Sequence, residues 1–201
     1  MTSATIDRSE FRHVLLSGTI VGVITAAAVI VYLLVSRLLS PGIVTSLLET
    51  LLVLAGGVAA AFLPGFFASS RTTQGVASAA AIGLWSTIVF MAIDIILLRP
   101  FRAFPWTWDA VGGGSTWWYL PVWWMLGTFL AWMGALVTAG RAARRGDVSI
   151  PALALPVVVG AALVALVITL VRLHVYLPVA AGVGFTLVLT ILALAVVVRK
   201  G

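Results

Sequence analysis

An all-α integral membrane protein, built as one bundle of six transmembrane helices, is the fold this sequence predicts. Three observations predict it. Hydrophobic residues make up 62% of the 201-residue chain and charged residues only 9%, against about 25% charged in a soluble domain. The apolar residues fall in six long runs, each near or above the ~20 residues a helix needs to cross a ~30 Å hydrocarbon core. The runs are continuous rather than alternating, and of the two structures that satisfy the backbone inside lipid, helix and closed barrel, this pattern selects the helix. The predicted spans cover residues 14–36, 43–69, 76–98, 117–140, 150–171 and 176–198, so residues 1–201 form a single transmembrane domain.

Each span has its own signals. Ahead of the first, Asp7 with Glu10 three residues on reads as a capping box that opens the helix before it enters the bilayer. The charged start and the long run after it do not resemble a cleavable signal. Ser40-Pro41-Gly42 turns the chain, with proline accepted at the start of the second helix. Pro64 beside Gly65 is expected to kink the far end of that helix. Small residues recur at every fourth position: Gly18, Gly22 and Ala26; Gly57, Ala61 and Gly65; Gly75, Ala79 and Gly83; Gly127, Ala131 and Ala135. Such faces let helix backbones approach closely in lipid, and four of them in one chain point to packing within the bundle. Down the fourth span, Trp117, Trp124, Thr128 and Trp132 follow one helical stripe, read as packing. Arg145-Gly146-Asp147 turns the chain into the fifth span. The two halves lack the paired broken helices of an inverted-repeat transporter.

Charge sets the orientation. With the N-terminus inside, the inner segments carry Arg8, Arg12, Arg71, Arg141, Arg144, Arg145, Arg199 and Lys200, and the outer ones Arg37, Arg99, Arg102 and Arg172. Eight against four places both termini in the cytoplasm. The net charge of +6 is scattered between spans, not gathered in the stripe that nucleic acid requires. The chain has no cysteine, which excludes disulfides and thiolate metal sites. Eleven arginines to one lysine, with abundant Ala, Val and Gly, suggest the cytoplasmic membrane of a bacterium.

The polar residues inside the spans carry the functional reading. Glu49 and Asp94 lie in otherwise apolar runs, where a carboxylate at the bilayer centre costs roughly 2.5–3.5 kcal/mol. Counted from Pro41 and Arg99, each is roughly 8–12 Å below the outer end of its helix. Arg99, Arg102, Asp109, Arg172 and His174 have outer addresses too. Two accounts follow. Either the acids pair with outer arginines and fix helix register, or they form a small polar pocket for an ion, proton or ligand. His174 reads as a solvated end residue. His13, the only other histidine, belongs to the opposite face, which argues against haem ligated across the bilayer.

One connection is long, residues 99–116, and tryptophan crowds it. Residues 105–124 hold six of the chain's eight tryptophans, among them Trp106, Trp108, Trp117, Trp118 and Trp124, around Gly112, Gly113 and Gly114. Indole concentrates at the membrane–water interface, but this exceeds an ordinary belt. The segment is expected to be an aromatic cover over the acidic pocket, hinged at the glycines and suited to an apolar or cationic ligand.

No HExxH, GxSxG or phosphate-loop motif occurs, so no enzyme is expected. Two functions remain. One is a small transporter or solute-binding membrane component with an outer-leaflet site. The other is a non-catalytic subunit of a larger complex, holding neighbouring helices, lipids or pigments. The bilayer is the partner implied in both; the pattern names no cofactor and no metal.

Overall fold

The computed structural model describes residues 3–98, 119–146, 149–173 and 175–199, and of residues 3–10 and 119–120 the backbone alone. Its regular structure there is helical throughout: α1 (Ser3–Leu38), α2 (Ile43–Phe67), α3 (Thr73–Ile93), α4 (Tyr119–Arg145), α5 (Ile150–Leu170) and α6 (Leu177–Val198). All six are long and apolar enough to cross a membrane. The chain is a multi-pass, six-helix membrane protein. The end of the bundle where α3 leads into α4 is called the loop end here, and the opposite one the arginine-rich end.

α2 is the hub. It packs against all five other helices, most closely α1, α4 and α6, while the sequence α1, α3, α4, α6, α5 forms an arc around it. The arc stays open, because α1 packs on α2 and α3 and makes at most marginal contact with α5 or α6. One face of α2 therefore looks out between α1 and α6.

Small residues make these approaches. A Cβ added at Gly18 would stand 2.9 Å from the Ile82 carbonyl oxygen, and at Gly22 2.6 Å from that of Ser86, so α1 lies nearly backbone to backbone on α3. At Gly83 it would meet the Ala131 methyl at 2.2 Å, and at Gly134 the Ala61 carbonyl oxygen at 1.9 Å. These contacts tie α3 to α4 and α4 to α2. Around them Phe62, Val157, Phe185 and Leu189 fill the core of α2, α4, α5 and α6. Polar links are few. The Trp85 indole donates to Thr19 across α1–α3 at 3.0 Å, and His13 Nε2 donates to the Phe67 carbonyl at 3.0 Å, closing the end of α2.

Two helices finish in the same way. After α2, the Ser70 amide bonds the Gly65 carbonyl and the Ser69 amide that of Phe66. After α5, the Leu173 amide bonds Ile168 and the Arg172 amide bonds Thr169. Both are Schellman endings, whose turning residue is left-handed and usually glycine. Here Ser69 (φ 48°) and Arg172 (φ 56°) hold that position.

Three expectations change. Asp7 does not cap α1; the helix already starts at Ser3, since Ala4-Thr5-Ile6 contains nothing to stop it. Pro41 lies before α2, with Gly42 as the capping residue, so the proline belongs to the turn. The Trp stripe of α4 does not pack inward: Trp124 and Trp132 are 47% and 49% exposed. α4 gives its inner faces to Gly127, Ala131, Gly134 and Ala135, and close approach there leaves the indoles only the outside.

Candidate functional site

Glu49 is six residues into α2, roughly 9 Å below its loop end at 1.5 Å per residue. Its side chain is 2% exposed. The hydrogen bond it receives comes from the Tyr176 hydroxyl, a phenol rather than an arginine. Tyr176 sits just before α6, where Pro178 opens the helix and fixes the direction in which the chain enters it. From the other side, Tyr32 of α1 stands within electrostatic reach of the same carboxylate. Ser46, one turn before Glu49 on α2, is a second hydrogen-bonding partner of the Tyr176 phenol. Four side chains, from α1, α2 and the residue that leads into α6, thus close on one spot.

The position of this cluster follows from helix register. Gly182 faces Val53 and Gly57 faces Phe185, so α2 and α6 run parallel. One turn nearer the loop end, that register sets Glu49 beside the start of α6. The cluster thus lies on α2 between α1 and α6, which make at most marginal contact with each other. Tyr176, 50% exposed, is its outer wall.

Asp94 is equally buried, at 1% exposed, but on another seam. Gly83 meets Ala131, Thr87 meets Gly127, and Phe90 stacks edge-on against Trp123 at 5.7 Å between centroids. The stripe 83–87–90–94 brings Asp94 opposite the first residues of α4 at 119–120. At Asp94 the helix also loosens into a π-helical turn, Asp94–Leu98, a distortion frequent at functional positions. Its Oδ1 accepts no hydrogen bond from a described residue, although the side chain as a whole is engaged.

The expected pocket is therefore not one acidic cluster. Glu49 belongs to the α1–α2–α6 opening and Asp94 to the α3–α4 seam. Arg172 is exposed and closes α5 in the left-handed conformation that usually takes glycine. Trp124, on the outside of α4, walls neither acid. Arg99, Arg102, Trp106, Trp108, Asp109, Trp117, Trp118 and His174 lie outside the described residues, and with them the proposed aromatic cover.

Sequence reasoning missed Tyr32, Ser46 and Tyr176. The signal was there: the chain has three tyrosines, and Tyr32, Tyr119 and Tyr176 all fall near the loop end. Among the described residues, no three His, Asp or Glu side chains gather as metal ligands would. No family model matches the chain, and no match was found among curated proteins or solved structures.

Proposed function

We propose that the protein is a small transporter or solute-binding membrane component of the bacterial cytoplasmic membrane, and that Glu49 is the counter-charge for a cationic ligand. One observation carries this: a fully buried carboxylate whose hydrogen-bond donor is a half-exposed tyrosine at an opening between helices. A purely structural acid deep in a bundle needs a partner but no opening. Here a ligand has only to turn one side chain aside. A cation arriving at the opening exchanges the Tyr176 hydrogen bond for its own charge, and the Tyr32 and Tyr176 rings offer π faces to it. Desolvation makes such pairing selective, since an uncompensated charge in this apolar setting is costly.

The alternative, a structural subunit of a larger complex, predicts small-residue stripes left facing lipid. The stripes of α1 to α4 are instead used within the bundle, and both intramembrane acids point inward, which supports the solute-binding reading. The Trp-rich segment 99–116 follows directly after the π turn at Asp94, and we assign it the role of a cover at the same end. No catalytic role is proposed.

Purification in native-like lipid followed by mass spectrometry tests the reading. Wild type should carry a co-purifying cationic compound that Glu49→Gln lacks at equal yield. Stoichiometric membrane subunits in place of any such compound would establish the assembly reading instead.

A further inference from the structure

The arginine-rich end has a feature that the solute site does not use. α2, α4 and α6 all finish there, and their carboxyl ends converge. A Cβ at Gly140 of α4 would meet the Val196 side chain of α6 at 2.4 Å, so these two helices touch within their last two turns. One turn further, Arg144 and Arg199 come to the same seam, Arg144 in the last turn of α4 and Arg199 as the residue closing α6. Gly65 of α2 lies against Ala135 and Thr138, which brings Arg141 and Arg145, next along that row, over the end of α2. Arg144, Arg145 and Arg199 are exposed, and none of the three pairs with a described residue. The acids that the charge distribution assigns to this side are Asp7, Glu10 and Asp147, against eight basic residues.

Arginines at helix carboxyl ends offset the helix dipole, but that accounts for one per helix, and α4 carries three. The exposed apolar stripe of α6, Ile191, Leu194 and Val198, lies on the side of the helix opposite Val196 and so away from this seam. What the seam offers is a cationic fork at the membrane surface, which matches the phosphate of a lipid headgroup. Guanidinium groups bind phosphate through paired, charge-assisted hydrogen bonds.

We propose that the seam between the ends of α4 and α6 binds the headgroup of an anionic phospholipid, with its phosphate held by Arg144 and Arg199. Basic pockets between transmembrane helices hold anionic headgroups in this way. Such a lipid would tie α4 to α6 at the end where the chain has only a short connection to α5.

The test is lipid retention by the purified protein in neutral detergent, read by native mass spectrometry, with phosphatidylglycerol and phosphatidylcholine offered together. Wild type should retain phosphatidylglycerol preferentially. The preference should fall about fivefold with Arg144→Gln or Arg199→Gln alone and about twenty-five-fold with both. Arg144→Lys with Arg199→Lys, which keeps the charge but loses the fork, should fall between. Arg12→Gln, on α1 at the same end, should leave the preference unchanged. Should the double glutamine variant fail to fold, the single variants carry the comparison. Equal retention of the two lipids by wild type would overturn the proposal, as would an equal loss with Arg12→Gln. Displacement of the lipid by millimolar inorganic phosphate would instead show a site for a free anion.

Discussion

Gly134→Ala should be among the most damaging single-methyl additions available to this protein. The added Cβ would lie 1.9 Å from the Ala61 carbonyl oxygen, 2.6 Å from its carbon and 3.1 Å from its Cα. Comfortable carbon contacts begin near 3.5 Å, so α4 would have to retreat from α2 by roughly 1.5 Å. All three atoms are backbone, and no rotamer change can relieve them. A radial gap of 0.5–1 Å already forfeits about a quarter to a half of each contact, and overpacked cores typically lose about 1–3 kcal/mol. Gly134 belongs at the upper end of that range, because α2 is the hub and α4 its closest core partner. Gly56→Ala is the control. Its nearest neighbour would be the Ala28 methyl at 3.9 Å, and alanine's better helix propensity makes a small gain the expected result. Thermal unfolding in a mild detergent should lower the midpoint of Gly134→Ala by roughly 5–10 °C, at about 2–4 °C per kcal/mol for a chain of this size. Equal midpoints for Gly134→Ala and Gly56→Ala would refute the claim that backbone contact between α2 and α4 holds the bundle.

Other outcomes follow from particular residues. Tyr176→Phe removes the donor to a buried carboxylate and should cost about 1–3 kcal/mol in the same unfolding assay; Tyr32→Phe, which leaves that bond in place, should cost less. Arg172→Gly should raise stability by about 1 kcal/mol, because glycine relieves the left-handed conformation at the end of α5; a loss would mean that its side chain has a role the Schellman ending does not explain. For orientation, Thr73→Cys should be shielded from an impermeant thiol reagent added outside the cell and Ser40→Cys should react, while the reverse pattern would invert the topology. Ser70, 1% exposed, would be silent on either side and is unsuitable as a reporter.

The six helices were legible because lipid imposes a blunt rule: every span must be long, apolar and helical. The small-residue faces were legible too, since Gly83 against Ala131 and Gly134 against Ala61 need what the sequence displays, the absence of bulk. Side-chain direction was harder to read. Tryptophan on α4 suggested packing, yet in a membrane the outside of a helix is as apolar as the inside, so hydrophobic periodicity loses its power to tell core from surface. Trp123 turned inward to Phe90 while Trp124 turned out. The partner of Glu49 was invisible for a related reason. Arginine looked the natural mate for an acid, but Arg172 closes α5 with its side chain exposed, and Tyr176, 127 positions along the chain from Glu49, reaches it only through the packing of α6 on α2. The π turn at Asp94 had no signature in FMAIDIILL, which contains neither proline nor glycine.

The account's central claim is that Glu49 serves as counter-charge to a cation at the α1–α6 opening, and calorimetric titration tests it most directly. The folded protein in detergent would be titrated with tetramethylammonium, guanidinium and sodium, using wild type and Glu49→Gln, with the thermal midpoint of each recorded. The account predicts saturable binding of at least one of these cations by wild type. Glu49→Gln should weaken it about hundredfold or more, since removing one partner of a buried charge pair costs about 3–5 kcal/mol. Equal binding by the two proteins at similar midpoints, or no saturable binding of any of the three by folded wild type, would contradict it.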